Sequence, residues 1–242
     1  MKLSDLFDQL SQGELSQLKM GSRDEIGIRL CDYNKIIPHI NLGLTELYKR
    51  LNLKTSEVVI QQFDHIQTYY LDSRYAQTNV DSQEPTKYIM DSEYQPFTNN
   101  VLRIEKVHNE LGEELYLNQD RSYFSGSNMY WAVNIPSYNS IQVPYPEKEN
   151  QMIVTYRADH DPIIFTEEMN LQDIHVPISP SYLEPLLLYI AARVYTNLSS
   201  NEGNEGTNYT AKFEASMQQI EKLNLINKDD TYNIKLEENG WV

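Results

Sequence analysis

Ser179-Pro180-Ser181-Tyr182-Leu183-Glu184-Pro185-Leu186-Leu187-Leu188-Tyr189-Ile190-Ala191-Ala192-Arg193-Val194-Tyr195-Thr196-Asn197-Leu198 is the longest strongly apolar, helix-patterned stretch of the 242-residue chain. Leu183, Leu186, Leu187, Ile190, Ala191, Val194 and Leu198 recur at helical spacing along one face. The opposite side carries Leu188, Tyr189 and Ala192, leaving Glu184, Arg193, Thr196 and Asn197 to meet water. A helix apolar nearly all round is a central core helix surrounded by protein. Two start signals compete: Ser179 as cap with Pro180 in the first helical position, or Ser181 with Glu184 as a capping box. Pro185 favours the later start, because a proline in a helix interior costs about 3 kcal/mol, and less within the first turn.

Working outward, Thr207 to Leu225 reads as a return helix with Tyr209, Phe213, Met217 and Ile220 on its inner stripe, joined by Ser216, Leu223 and Asn224. Ser199 to Gly206 is polar and glycine-rich, so it reads as the loop of an antiparallel helix pair, with Gly203 and Gly206 as linker residues. At the other end of the chain, Ser4 is positioned to cap a short helix through Leu6, Phe7 and Leu10, interrupted by Gly13. Asp32 to Leu51 forms a longer one with Ile36, Ile37, Ile40, Leu44, Leu47 and Leu51 in a stripe; Pro38 implies a kink or late start.

From Leu53 onward the pattern alternates with period two. Thr55–Ile60, Thr68–Leu71, Val101–Val107, Glu113–Leu117, Tyr130–Val133, Ser140–Val143 and Gln151–Tyr156 read as strands. Val101–Val107 and Glu113–Leu117 are expected to pair as a hairpin about Asn109-Glu110-Leu111-Gly112. Helices, then strands, then helices predict an α+β fold. In this reading residues 1–54 and 176–228 form a helical bundle, and residues 55–175 are an inserted antiparallel β domain that projects from it.

Beyond Leu225 the sequence changes character. Residues 229–242 read either as a frayed terminus or as a docking arm, in which Tyr232, Ile234 and Leu236 alternate with polar residues and Trp241 supplies a bulky anchor. A lone strand of this kind suits addition to another protein's sheet edge.

Composition narrows the function. With 20 Lys and Arg against 35 Asp and Glu the net charge is −15, which disfavours free binding to nucleic acid. The single cysteine, Cys31, has no partner for an internal disulfide and reads as a small packed residue. The opening residues do not form a signal peptide and no run approaches a membrane span, so a soluble, cytoplasmically made protein is expected. Eighteen tyrosines against six phenylalanines favour surfaces that are half packed and half wet, as at interfaces.

Catalytic chemistry finds little support. Asp159-His160-Asp161 has the residue types of a metal or acid–base site, but adjacent side chains on an extended chain point apart and Pro162 follows, so a turn is the better reading. His39, His65, His108 and His175 lack ligand spacing, and no phosphate loop, nucleophile elbow or zinc motif occurs. No catalytic residue, metal or cofactor is expected. Tyr69-Tyr70, Tyr130-Trp131 and Tyr138 are candidates for a sugar or partner surface, although strands commonly carry tyrosine as cross-strand packing.

Three stretches carry a resemblance. They are Ile37-Pro38-His39-Ile40-Asn41-Leu42-Gly43-Leu44-Thr45-Glu46-Leu47-Tyr48-Lys49-Arg50, then Val101–Val107 with its hairpin, then Val154-Thr155-Tyr156-Arg157-Ala158-Asp159-His160-Asp161-Pro162 leading to Tyr182-Leu183-Glu184-Pro185-Leu186 and Ala191-Ala192-Arg193. In this order they resemble the head-to-tail adaptors of short-tailed bacteriophages, the tail tubular protein A and head-completion ring proteins, particularly those of crAss-like phages. The tail after Leu225 departs from that pattern. The resemblance implies a structural, non-enzymatic virion protein, made in the host cytoplasm. It would form a homo-oligomeric ring, usually of twelve copies, at the neck of the virion. Its partners would be the portal protein and the downstream tail or ring proteins, with DNA passing through the lumen without specific binding. Two other functions are compatible with the residues: a tail-associated carbohydrate or receptor-binding module on the tyrosine-rich region, and a small metal-dependent hydrolase on Asp159-His160-Asp161.

Overall fold

The computed structural model describes residues 1–16, 28, 30–117, 132–166, 169–197 and 203–223. The fold is α+β. Helices α1 (Leu3–Gln12) and α2 (Leu30–Leu51) precede the strands, and α3 (Leu183–Asn197) and α4 (Gly203–Lys222) follow them. The strands are β1 (Thr55–Gln61), β2 (Thr68–Tyr70), β3 (Ile89–Met90), β4 (Val101–Asn109), β5 (Tyr116–Leu117), β6 (Ala132–Ser137), β7 (Ser140–Gln142) and β8 (Gln151–Ala158). Two compact units result, one of residues 1–53 with 160–242, the other of residues 54–159. Among the described residues no helix is long and apolar enough to cross a membrane.

In the first unit both start signals of α3 are used in succession. Ser179 precedes a 3-10 turn with Pro180 at its start, and the α-helix proper begins at Leu183, which places Pro185 in the first turn, where its missing N–H has no helical partner to lose. Leu186, Ile190 and Ala191 are fully buried and Leu188 and Ala192, on the other flank, are nearly so. Glu184, Arg193 and Thr196 are exposed. Helix α4 runs antiparallel to α3, since Tyr195 stacks on Tyr209 at 5.1 Å while Tyr189 meets Phe213 at 5.4 Å, so advance along one is retreat along the other. Phe213, Met217 and Ile220 form its buried stripe, whereas Leu223 is exposed.

Glycine makes the approach of these helices possible. A Cβ on Gly43 of α2 would lie 2.8 Å from Leu186, and one on Gly206 of α4 would lie 2.5 Å from the Thr196 hydroxyl and 3.0 Å from its backbone nitrogen. The expected loop through Gly206 therefore ends sooner, at the start of α4 at Gly203. Glycine here serves close packing, a role its reputation as a loop residue conceals.

Helix α1 starts at Leu3, so Ser4 lies inside it and is not its cap. The chain before it is fixed by tertiary bonds: the Leu3 N–H donates to the Ile174 carbonyl at 2.9 Å, and the Val176 N–H to the Met1 carbonyl at 2.8 Å. Lys2 thereby pairs with His175 as an isolated antiparallel bridge. Helix α2 runs through Pro38, which occupies its middle with no late start, and ends at Asn52 in the left-handed region at φ 47°, a conformation that asparagine tolerates as a helix terminator. The unit boundary falls at His160, earlier than the expected 175; Ile163 and Pro177 are bonded to α2, and Ile174 and Val176 to the start of the chain.

The second unit contains two four-stranded sheets, ordered β3-β1-β8-β4 and β2-β7-β6-β5. Strand β8 is central: Met152, Val154, Tyr156 and Ala158 are buried, and its alternate residues are half-buried. Inward residues of both sheets, among them Ile60, Tyr69, Val107 and Ile141, share one core. Two expectations are corrected. The main partner of β4 is β8, in a register with two irregularities; the expected hairpin forms as a short antiparallel return, with the Asn109 N–H on the Glu113 carbonyl at 2.9 Å and the Leu115 N–H on the Val107 carbonyl at 2.8 Å. The β region is also not wholly antiparallel, since β5 pairs with β6 in parallel. Both differences arise because pairing is decided by burial across the whole unit and not by nearness in sequence.

Between β2 and β4 the chain is organised by Asp91. Its carboxylate accepts from the backbone N–H of Thr78 at 3.0 Å, the Thr78 hydroxyl, and the Phe97 N–H at 2.9 Å. Burial pushes its pKa up, but the hydrogen bonds from Phe97 and Thr78 together outweigh this and hold the carboxyl below its ordinary value. A depressed carboxyl adds stability that is fully present above its unfolded pKa and is lost as pH falls through the folded one.

Three outcomes are expected in urea melts. Ile190→Ala should cost about 2 to 5 kcal/mol as a buried truncation. Gly206→Ala should cost about 1 to 3 kcal/mol by overpacking, although alanine is the better helix former, while the exposed Gln218→Ala should be near neutral. Asp91→Asn should lower the midpoint at neutral pH, by about 1 to 3 kcal/mol, and flatten the loss of stability on acidification. A midpoint unchanged by Asp91→Asn would remove the carboxylate from this role.

Candidate functional site

Of the core-helix residues singled out by sequence, Leu186 and Ile190 are fully buried, Leu187 and Val194 nearly so, and Leu183 is half-buried at the helix start. Leu198 lies outside the described residues, as do the docking candidates Tyr232, Ile234, Leu236 and Trp241 and the aromatic pair Tyr130-Trp131. Cys31 is the second residue of α2, and its side chain is likewise outside the described set.

The Asp159-His160-Asp161 cluster is divided by the chain's path. The Asp159 N–H donates to the Asn100 carbonyl at 2.7 Å, in the second unit. His160 turns into the first, 5% exposed, with Nε2 3.2 Å from Asn41 Oδ1 and its ring 5.6 Å from that of Tyr48. Asp161 is exposed. Among the described residues no group of three or more His, Cys, Asp or Glu side chains is placed to hold a metal.

The polar residue that sequence reading missed is Asn41. From the middle of α2 its Oδ1 accepts from the Ile163 N–H at 2.9 Å, and its Nδ2 donates to the Ile163 carbonyl at 3.0 Å. The same Oδ1 faces His160 Nε2, which fixes that nitrogen as the protonated one. Tyr48, two turns on, donates to the Pro177 carbonyl at 2.8 Å. Both side chains satisfy backbone groups of residues that belong to no strand. Nothing but an asparagine among hydrophobic neighbours marks this in the sequence.

A cleft of about 250 Å³ opens between α2, α3 and α4, lined by Arg50, Tyr189, Arg193, Thr196, Phe213 and Glu214 among others. Arg50 clasps Glu214 with both terminal nitrogens at 2.8 and 3.0 Å, reaches Glu46 through Nε at 2.7 Å, and lies over the Phe213 ring at 5.4 Å. The hydrogen bond to Glu214 raises the guanidinium pKa, and the same bond lowers that of Glu214. The pair links α2 to α4 at the protein surface. Elsewhere on α2, burial and the nearby Arg193 charge lower the pKa of His39.

The tyrosines sort into two sets. Tyr69, Tyr88 and Tyr156 are core residues of the second unit. Tyr70, Tyr94, Tyr116, Tyr138 and Tyr145 are 47%, 100%, 53%, 62% and 49% exposed on the same unit, with Val80 and Leu111 beside them in the exposed apolar class. Strand alternation explains the split at Tyr69 and Tyr70, which point to opposite faces of β2.

No protein-family model matches the chain, and no curated protein matches it.

Asn41→Ala should destabilise the first unit by about 1 to 3 kcal/mol, because it strands the Ile163 peptide groups and the His160 ring. Arg50→Ala, at a surface pair, should cost about 1 kcal/mol or less. Equal losses for the two variants in urea melts would contradict this ranking.

Proposed function

We propose that the protein is a structural head-to-tail adaptor of a short-tailed bacteriophage. Its copies, twelve in the arrangement the resemblance implies, form a ring below the portal at the virion neck, joining capsid to tail and continuing the DNA channel. In this reading the N- and C-terminal helices form one bundle, the β domain is inserted into it, and residues 229–242 dock onto a neighbouring subunit or onto the portal. The observation that carries the proposal is the concentration of exposed tyrosine on the second unit, because large amphipathic side chains left at a surface are characteristic of protein interfaces. The order of the three resembling stretches supports the same assignment.

Charge supplies the mechanism. A chain of net charge −15 repeated about an axis presents DNA with a like-charged wall, along which no counterions are released and no phosphate is gripped. Passage then needs no enzymatic step. Asp and Glu should outnumber Lys and Arg on the lumenal face.

Electron microscopy of the purified protein, alone and with portal, tests this directly. Rings with an acidic lumen are expected, and a protein that stays monomeric in the presence of portal, or a ring with a basic lumen, would overturn the proposal. Deleting residues 229–242 should leave the melting temperature nearly unchanged while abolishing ring formation or portal capture. Normal assembly by the truncated chain would deprive the arm of its role.

A further inference from the structure

The exposed edge of β2 has an unusual finish. Tyr88 places its hydroxyl against this edge, accepting from the Tyr70 N–H at 2.8 Å and donating to the Tyr70 carbonyl at 3.1 Å, where a further strand would otherwise pair. The Tyr88 ring is buried, edge-on to Tyr69 at 5.1 Å and stacked on Tyr75 at 4.6 Å. With the Tyr70 side chain directed outward, three tyrosines form the aromatic wall of a cleft of about 290 Å³. That is near the lower end of the roughly 300 to 1,000 Å³ typical of small-molecule sites.

The rim is polar and uncommitted. His65, Glu84 and Thr86 line the same cleft, and their side chains make no hydrogen bond or ion pair among the described residues; nor do the hydroxyls of Tyr70 and Tyr75. The exposed Tyr70 ring, bordered by donors and acceptors, suits a ligand that is apolar across its C–H faces and hydroxylated around its edge. We propose that this cleft binds a neutral saccharide, with a sugar ring against Tyr70 and its hydroxyls bonded to Glu84, His65 and Thr86. Neutrality follows from charge. Glu84 is the one carboxylate lining the cleft and no Lys or Arg lines it; Arg74, over the Tyr75 ring at 5.8 Å, is held by Asp72 at 3.0 Å. An anionic sugar would face the Glu84 carboxylate on a chain of net charge −15.

This inference does not depend on ring formation. The purified full-length chain is screened on a glycan array, and the best neutral oligosaccharide is then titrated calorimetrically against wild type and variants. Tyr70→Ala removes the stacking face while leaving the Tyr88 hydroxyl its backbone partners, so the fold is retained and binding should fall about tenfold or more. Glu84→Gln should weaken binding several-fold, and Tyr94→Ala, fully exposed and not part of the cleft, should change nothing. Should the urea midpoint show that Tyr70→Ala perturbs the fold, Glu84→Gln carries the test. Retention of no neutral glycan, retention of acidic glycans alone, or wild-type affinity in both cleft variants would overturn the assignment.

Discussion

The close approach of α2 and α4 to α3 is the constraint on which the first unit depends. A helix that is apolar on nearly every side has no face to offer water, so its neighbours must come close enough to exclude it. Gly43 and Gly206 permit that distance, and the side chains opposite them, Leu186, Tyr189 and Thr196, occupy the space that a Cβ would take. The hydrophobic term and the steric term are inseparable here: a methyl group at Gly206 adds apolar surface and still destabilises, because packed interiors have no spare volume.

Around that core, polar residues act chiefly on backbone. Asn41, Tyr48 and Asp91 each satisfy peptide groups in segments that belong to no sheet or helix. Peptide groups of Thr78, Phe97, Ile163 and Pro177, outside helix and sheet, are thereby bonded, as a low-dielectric interior demands. In the second unit the polar pairing moves to the half-buried sheet face, where Arg157 meets Glu105 at 2.8 Å and the Thr155 hydroxyl faces Glu57 at 3.3 Å across neighbouring strands.

Helix α3 was legible in the sequence because its apolar content is extreme, and β8 because its alternation is unbroken. Both signals come from burial, which leaves a periodic imprint. The pairing of β4 with β8 was not legible, since a register spanning Val101↔Ala158 to Asn109↔Met152 leaves no local trace, whereas a nearby turn does. Gly206 was misread as a loop residue because glycine serves both flexibility and close contact, and only the neighbour Thr196 distinguishes them. The rim of the tyrosine cleft was invisible for a related reason. Tyr70, Glu84 and His65 come together only once β2 and the chain before β3 are side by side, although the outward direction of Tyr70 follows from alternation alone.

The pairing of β1 with β8 has a temporal consequence. Gln61 meets Gln151 and Thr55 meets Arg157, so the central ladder of this sheet joins residues about as far apart as the second unit allows. Such a ladder carries the full loop-closure entropy of the intervening chain before any of its bonds form. During synthesis α1 and α2 leave the ribosome well before α3, at about 5 to 20 residues per second, and wait with their apolar stripes uncovered for several seconds. Closing the sheet returns the chain at Ala158 beside Lys54, through an N–H to carbonyl bond of 2.9 Å, and thereby delivers the start of the second helical half next to the end of the first. The two helical halves of the first unit are thus separated in synthesis by the whole of the second, and that interval is when the nascent chain most needs protection from its neighbours.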